Sequence, residues 1–125
     1  MRILVVLLIL SIWLTGCTQK YYIVRHAEKV VQDNANMASN EDPPLSELGA
    51  ERAKALASRL SGQKIRYIFS TNRIRTLTTA APTAGKFGLQ VETYQKVDSA
   101  FISKLKRLKK NVLIPEDKAC ILLAC

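Results

Sequence analysis

The chain has 125 residues, with 19 Lys and Arg against 10 Asp and Glu and a formal charge of +9. That length suits one domain with a modest core. The cations are scattered rather than interleaved with aromatics, which argues against a nucleic-acid surface and for attraction of anionic compounds or lipid headgroups.

The first sixteen residues read as a leader rather than as part of the fold. Arg2 is a thin positive start, residues 3–14 are apolar except for Ser11, and small residues follow. About twelve apolar residues are too few to span a bilayer comfortably. Leu14-Thr15-Gly16-Cys17 resembles a bacterial lipobox. The resemblance implies cleavage before Cys17 and acylation of it, with several acyl chains making a stable anchor. Thr18 is unlike the aspartate that retains such proteins at the inner membrane, so the expected location is the bacterial outer membrane, facing the periplasm. Removal of residues 1–16 leaves 109 of the 125 residues and takes Arg2 with it. An export signal argues further against nucleic acid.

Residues 21–24 are short, aromatic and β-branched, as in a buried strand. Residues 30–44 are polar and end in Pro43-Pro44, which suggests a loop long enough to be functional rather than a simple connector. Ser46 is a candidate N-cap with Glu47 in the first turn. Leu48, Arg52, Leu56 and Leu60 then recur every four residues in a helix whose leucines are expected in the core. A second strand is predicted over 65–69 and a helix over 73–86, bent or divided by Pro82. A third strand is expected over 89–92. A helix capped by Asp98 or Ser99 follows, with Phe101, Leu105 and Leu108 on one face and Lys104, Lys106, Lys109 and Lys110 in solvent. Residues 112–114 form a fourth strand ended by Pro115. This alternation predicts a three-layer α/β/α fold with a mostly parallel central sheet.

In such a sheet, ligands bind beyond the C-terminal ends of the strands. Arg25 and His26 follow the first strand there. Ser70, Thr71, Asn72, Arg73 and Arg75 follow the second. Guanidinium groups and the free N–H groups of a helix start suit an oxyanion, and imidazole can attack phosphorus. From the residues alone, an incidental histidine and surface arginines stay open beside a phosphate site.

Val24-Arg25-His26-Ala27-Glu28 resembles the Arg-His motif of the histidine phosphatase, or phosphoglycerate-mutase-like, superfamily. Residues 42–49, Asp-Pro-Pro-Leu-Ser-Glu-Leu-Gly, are similar to that family's Leu-Ser/Thr-x-x-Gly stretch. Residues 68–80 are similar to its second motif, with Arg75 followed by Thr79-Ala80. The resemblance covers residues 21–114. It implies a phosphomonoester or other phosphorylated small molecule as substrate, with no metal or other cofactor. It implies His26 as nucleophile, Arg25 and Arg75 as phosphoryl ligands, and Thr71 and Asn72 at the substrate. Arg73 is expected at the pocket rim, and Glu28 is not expected to be the acid. Glu92 lies roughly where the family's proton donor arises.

The family also places a second histidine after a late apolar strand. Here residues 110–114 are followed by Pro115-Glu116-Asp117-Lys118, and His26 is the sole histidine of the chain. Loss of one such donor costs ~3–4 kcal/mol of transition-state stabilisation. Residues 115–125 are an atypical tail, in which Ile121, Leu122 and Leu123 could patch the sheet and Cys120 could pair with Cys125. The expectation is a C-terminally truncated domain. It leaves two readings: a working phosphatase, or an inactive or impaired envelope lipoprotein that at most binds anions.

Overall fold

The computed structural model describes residues 18–30 and 42–117. The expected leader, Cys17, Cys120, Cys125 and most of the polar loop lie outside the described residues. Strand β1 is Tyr21–Arg25, helix α1 Glu47–Arg59, strand β2 Ile65–Thr71 and helix α2 Ile74–Phe87. Strand β3 is Val91–Tyr94, helix α3 Ser99–Leu108 and strand β4 Asn111–Glu116. All strand pairs are parallel, in the order β1-β4-β2-β3.

Helices α1 and α2 cover one face, where Leu60, Ala80 and Ala84 meet Ile65, Ile68 and Leu113. Helix α3 covers the other, bringing Phe101 and Leu105 onto Phe69, Val112 and Ile114. Phe101 meets Phe69 edge-on at 5.5 Å between centroids and stacks on Tyr94 at 4.2 Å. The fold is therefore three-layer α/β/α around a parallel sheet. Val112, Leu113 and Ile114 are fully buried because β4 is central and covered on both faces, which is why its sequence is a continuous apolar run.

Several local expectations change once packing is seen. In α1 the buried residues are Gly49, Ala53 and Ala57, and Leu48 is 53% exposed. Leu60 does lie in the core with Leu56 packed against it, and the small residues are buried beside them, Gly49 against the Glu28 carbonyl. Pro82 does not divide α2, which runs unbroken from Ile74 to Phe87. Strand β3 starts at Val91, because Leu89 is still tied to the end of α2 by its N–H to the Ala84 carbonyl (3.0 Å). Gly88 turns the chain there with φ of +63°.

Strand β4 continues through Pro115 to Glu116. In a parallel strand, alternate residues address alternate neighbours. The Val112 N–H and the Glu116 carbonyl both bond toward β1, to Lys20 and His26. Pro115 therefore addresses β2, whose register with β4 runs only from Ile65↔Asn111 to Ile68↔Leu113. The missing proline N–H falls beyond that pairing, so the β1 ladder continues to Arg25↔Glu116.

Candidate functional site

The site is built where β1, β2 and β4 end. The Leu-Ser-x-x-Gly stretch proves to be a joint between the segment after β1 and the start of α1. Ser46 caps α1 by accepting from Gly49 N–H (3.1 Å), and its own N–H donates to the Glu28 carbonyl (2.8 Å). Gly49 is required because a Cβ there would collide with that same carbonyl. The Glu28 carboxylate, in turn, is ion-paired with Arg52 of α1. A short antiparallel bridge, Lys29↔Leu45, closes the base of the polar loop.

His26 is held from three directions. Its backbone N–H donates to the Glu116 carbonyl at the end of β4 (3.0 Å). The next N–H, of Ala27, donates to Thr79 Oγ1 (3.0 Å), which itself donates to the Arg75 carbonyl one turn earlier in α2 (2.7 Å). The ring Nδ1 lies 2.6 Å from the Ala27 carbonyl. A carbonyl can only accept, so Nδ1 carries a proton, and in the neutral ring the lone pair is on Nε2. The ring is 13% exposed and Nε2 lies 3.9 Å from Asp117 Oδ1.

Arg75 sits in the first turn of α2 with its side chain 14% exposed. Its Nε donates to Asp117 Oδ1 (2.7 Å) and its NH1 to Asp42 Oδ1 (3.4 Å). Asp42 Oδ2 accepts from Ile74 N–H (2.7 Å), the first free N–H of α2. Arg73, at the N-cap position, has no oxygen to offer there, so the cap comes from across the fold. Arg73 Nε approaches Asp117 Oδ2 at 4.0 Å, and this side chain is 45% exposed, at the rim.

His26, Arg75, Arg73 and Asp117 thus converge. Arg25, exposed at the end of β1, lines an open cavity of about 400 Å³ with His26, Ala27, Glu28 and Lys29. A second, of about 340 Å³, lies between this segment and Arg52, Ala53, Leu56 and Thr79. Thr71 does not stand clear for a ligand. Its hydroxyl is 2.9 Å from that of Thr76, which also lies 3.0 Å from the Thr71 and Arg73 carbonyls and locks the turn. Asn72 is exposed in that turn. Glu92 is not brought to His26. It points to the α3 side, where it accepts from Lys104 Nζ (2.8 Å), and Lys104 lies over the Phe69 ring. Burial pushes the Glu116 carboxyl above its ordinary value, with the neighbouring Asp117 charge adding to the effect and a backbone hydrogen bond at Asp117 opposing it. Among the described residues, no group of three His, Cys, Asp or Glu side chains could hold a metal ion.

Sequence reasoning missed Asp42, Thr79 and Asp117. For Asp117 a signal existed: it directly follows a parallel strand, at the same sheet edge that singled out Arg25 and His26. Asp42 carries no comparable local mark, because its partners lie 32 and 33 residues away.

A parallel sheet with a histidine and arginines gathered at its strand ends defines an α/β protein whose candidate site lies at the carboxyl edge of the sheet. The chain belongs to the histidine phosphatase superfamily (branch 1), whose sequence profile matches residues 21–113. It is 30% identical over 97 residues to GpmB of Yersinia pestis (strain Pestoides F), named as a probable phosphoglycerate mutase, and GpmB of Yersinia pseudotuberculosis gives the same figures. That match takes in 78% of this chain and 45% of the relative, so the chain spans about half the length of the curated relatives it matches. In structure it resembles SixA of Agrobacterium tumefaciens, a proposed phosphohistidine phosphatase, with a TM-score of 0.61 at 18% identity over 79% of this chain and 69% of that one. The phosphoserine phosphatase of Entamoeba histolytica, solved with 3-phosphoglyceric acid, gives 0.51 at 23% identity over 65% and 41%. At these identities the structural likeness establishes the fold.

Proposed function

We propose that the chain is a phosphoryl-transfer hydrolase that acts on a phosphomonoester through a phosphohistidine at His26. The observation that carries this reading is the Nδ1 contact to the Ala27 carbonyl, which in the neutral ring puts the lone pair on Nε2, the atom that faces the same Asp117 oxygen as Arg75 Nε. Nε2 would attack phosphorus as the ester P–O bond breaks, and the departing oxygen would take the bonding pair and a proton from solvent. Water then attacks the phosphohistidine, releasing inorganic phosphate and returning the lone pair to Nε2. Arg25 and Arg75 would balance charge on the transferring oxygens. The test is phosphate release from p-nitrophenyl phosphate by the purified chain. Turnover is expected to fall by at least about 10³-fold in His26→Ala, since loss of a nucleophile removes the covalent route. Equal turnover in the two proteins rejects the proposal.

A second reading, an impaired anion-binding lipoprotein, is favoured by one observation: the group facing His26 Nε2 across the site is the carboxylate of Asp117. Absence of His26-dependent turnover, with phosphate still bound, selects it. For either reading we propose a lipid anchor at Cys17 in the outer membrane. The motif supports it, and labelled palmitate should enter the chain but not Cys17→Ala.

A further inference from the structure

We infer that Asp117 is an internal competitor of the phosphoryl group: its carboxylate occupies the place between His26 and the arginines that a substrate anion would take, and must leave Arg75 for phosphate to bind. This rests on the phosphoryl-site reading above. Three groups converge on this one carboxylate. Arg75 Nε reaches Oδ1 at 2.7 Å, His26 Nε2 faces the same oxygen at 3.9 Å, and Arg73 Nε approaches Oδ2 at 4.0 Å. They surround it as they would the oxygens of a phosphoryl group.

The charge balance points the same way. Arg75 is shared by two carboxylates, Asp117 and Asp42. Asp42 also fills the N-terminal N–H of α2, the other natural anion ligand at this edge. A phosphomonoester dianion arriving here meets donors already engaged and a like charge at close range, and such a charge is weakly screened because Asp117 is only 25% exposed. The arrangement differs from a carboxylate that supports an arginine alone, because the Asp117 oxygen bonded to Arg75 Nε is also the one that His26 Nε2 faces.

The test is isothermal titration of the purified full chain with inorganic phosphate, comparing Asp117→Asn with the parent. The amide keeps the size and the oxygen facing Arg75 but removes the charge. Phosphate should bind at least about tenfold more tightly to Asp117→Asn, the equivalent of removing one close like charge in a partly exposed site. Asp117→Ala should gain similarly, which guards against a folding defect in one variant. Glu51→Gln, which removes a charge from the exposed side of α1, should bind as the parent does. In Asp117→Asn the gain should vanish when Arg75→Ala is added. Equal or weaker phosphate binding in folded Asp117→Asn and Asp117→Ala overturns the inference and leaves the phosphoryl site standing. No binding by any folded variant rejects the phosphoryl site itself, and the inference with it.

Discussion

Gly49 shows how much one residue can carry. It sits where the Glu28 carbonyl enters the first turn of α1, and that carbonyl is shared by the N–H and hydroxyl of Ser46. The family-like Leu-Ser-x-x-Gly spacing is thus a packing requirement, with Ser46 as cap and Gly49 as the gap. Gly49→Ala should destabilise the fold by roughly 1–3 kcal/mol, the usual cost of overpacking, read as a lower urea midpoint. His26 lies two residues before Glu28, so the displaced carbonyl should also loosen the site. A larger loss of turnover than of stability is expected. Asp117 is the counter-example at this scale: its identity is plain in the sequence, but its role depends on which side chains it meets.

Between elements, α2 does more than cover the sheet. Thr79 couples the helix to the end of β1 by accepting from Ala27 N–H while donating to the Arg75 carbonyl. The residue that orients the His26 ring and the helix that bears Arg75 therefore move together. Thr79→Val keeps the shape and removes both bonds, leaving the Ala27 N–H without its acceptor. The expected cost is about 1–3 kcal/mol, measured by urea unfolding. If turnover is present, it should fall while the KM for p-nitrophenyl phosphate changes less. Helix α1 illustrates a different point. Its leucine spacing marks an amphipathic helix and brings Leu60 and Leu56 to the core, but Leu48 stays exposed and burial extends to Gly49, Ala53 and Ala57, which the spacing did not single out.

Across the whole molecule, stability should depend on pH through the carboxyl edge of the sheet. The Glu116 carboxyl titrates above its ordinary value of 4.5 because folding buries it beside Asp117. Its contribution to stability is fully present below about pH 4.5. It is lost as the pH rises through the raised folded value. Glu116→Gln should accordingly be more stable than the parent at pH 7, and the difference should shrink toward pH 4.5. Urea unfolding at the two pH values measures it, and an equal difference at both would exclude the effect.

The sequence by itself determined the order of strands and helices along the chain, the cap at Ser46, and the arrival of Arg25, His26 and Arg75 at strand ends. These follow from signals spread over a few residues: hydrophobic period, capping chemistry and the geometry of parallel strands. Only the tertiary structure decided that β4 runs past Pro115, that Glu92 belongs to Lys104, and that Asp42 and Asp117 close on Arg75. Arg75 meets Asp117 across 42 residues of chain. No local pattern records a contact of that span, because it arises from strand order and helix packing rather than from either residue's neighbours.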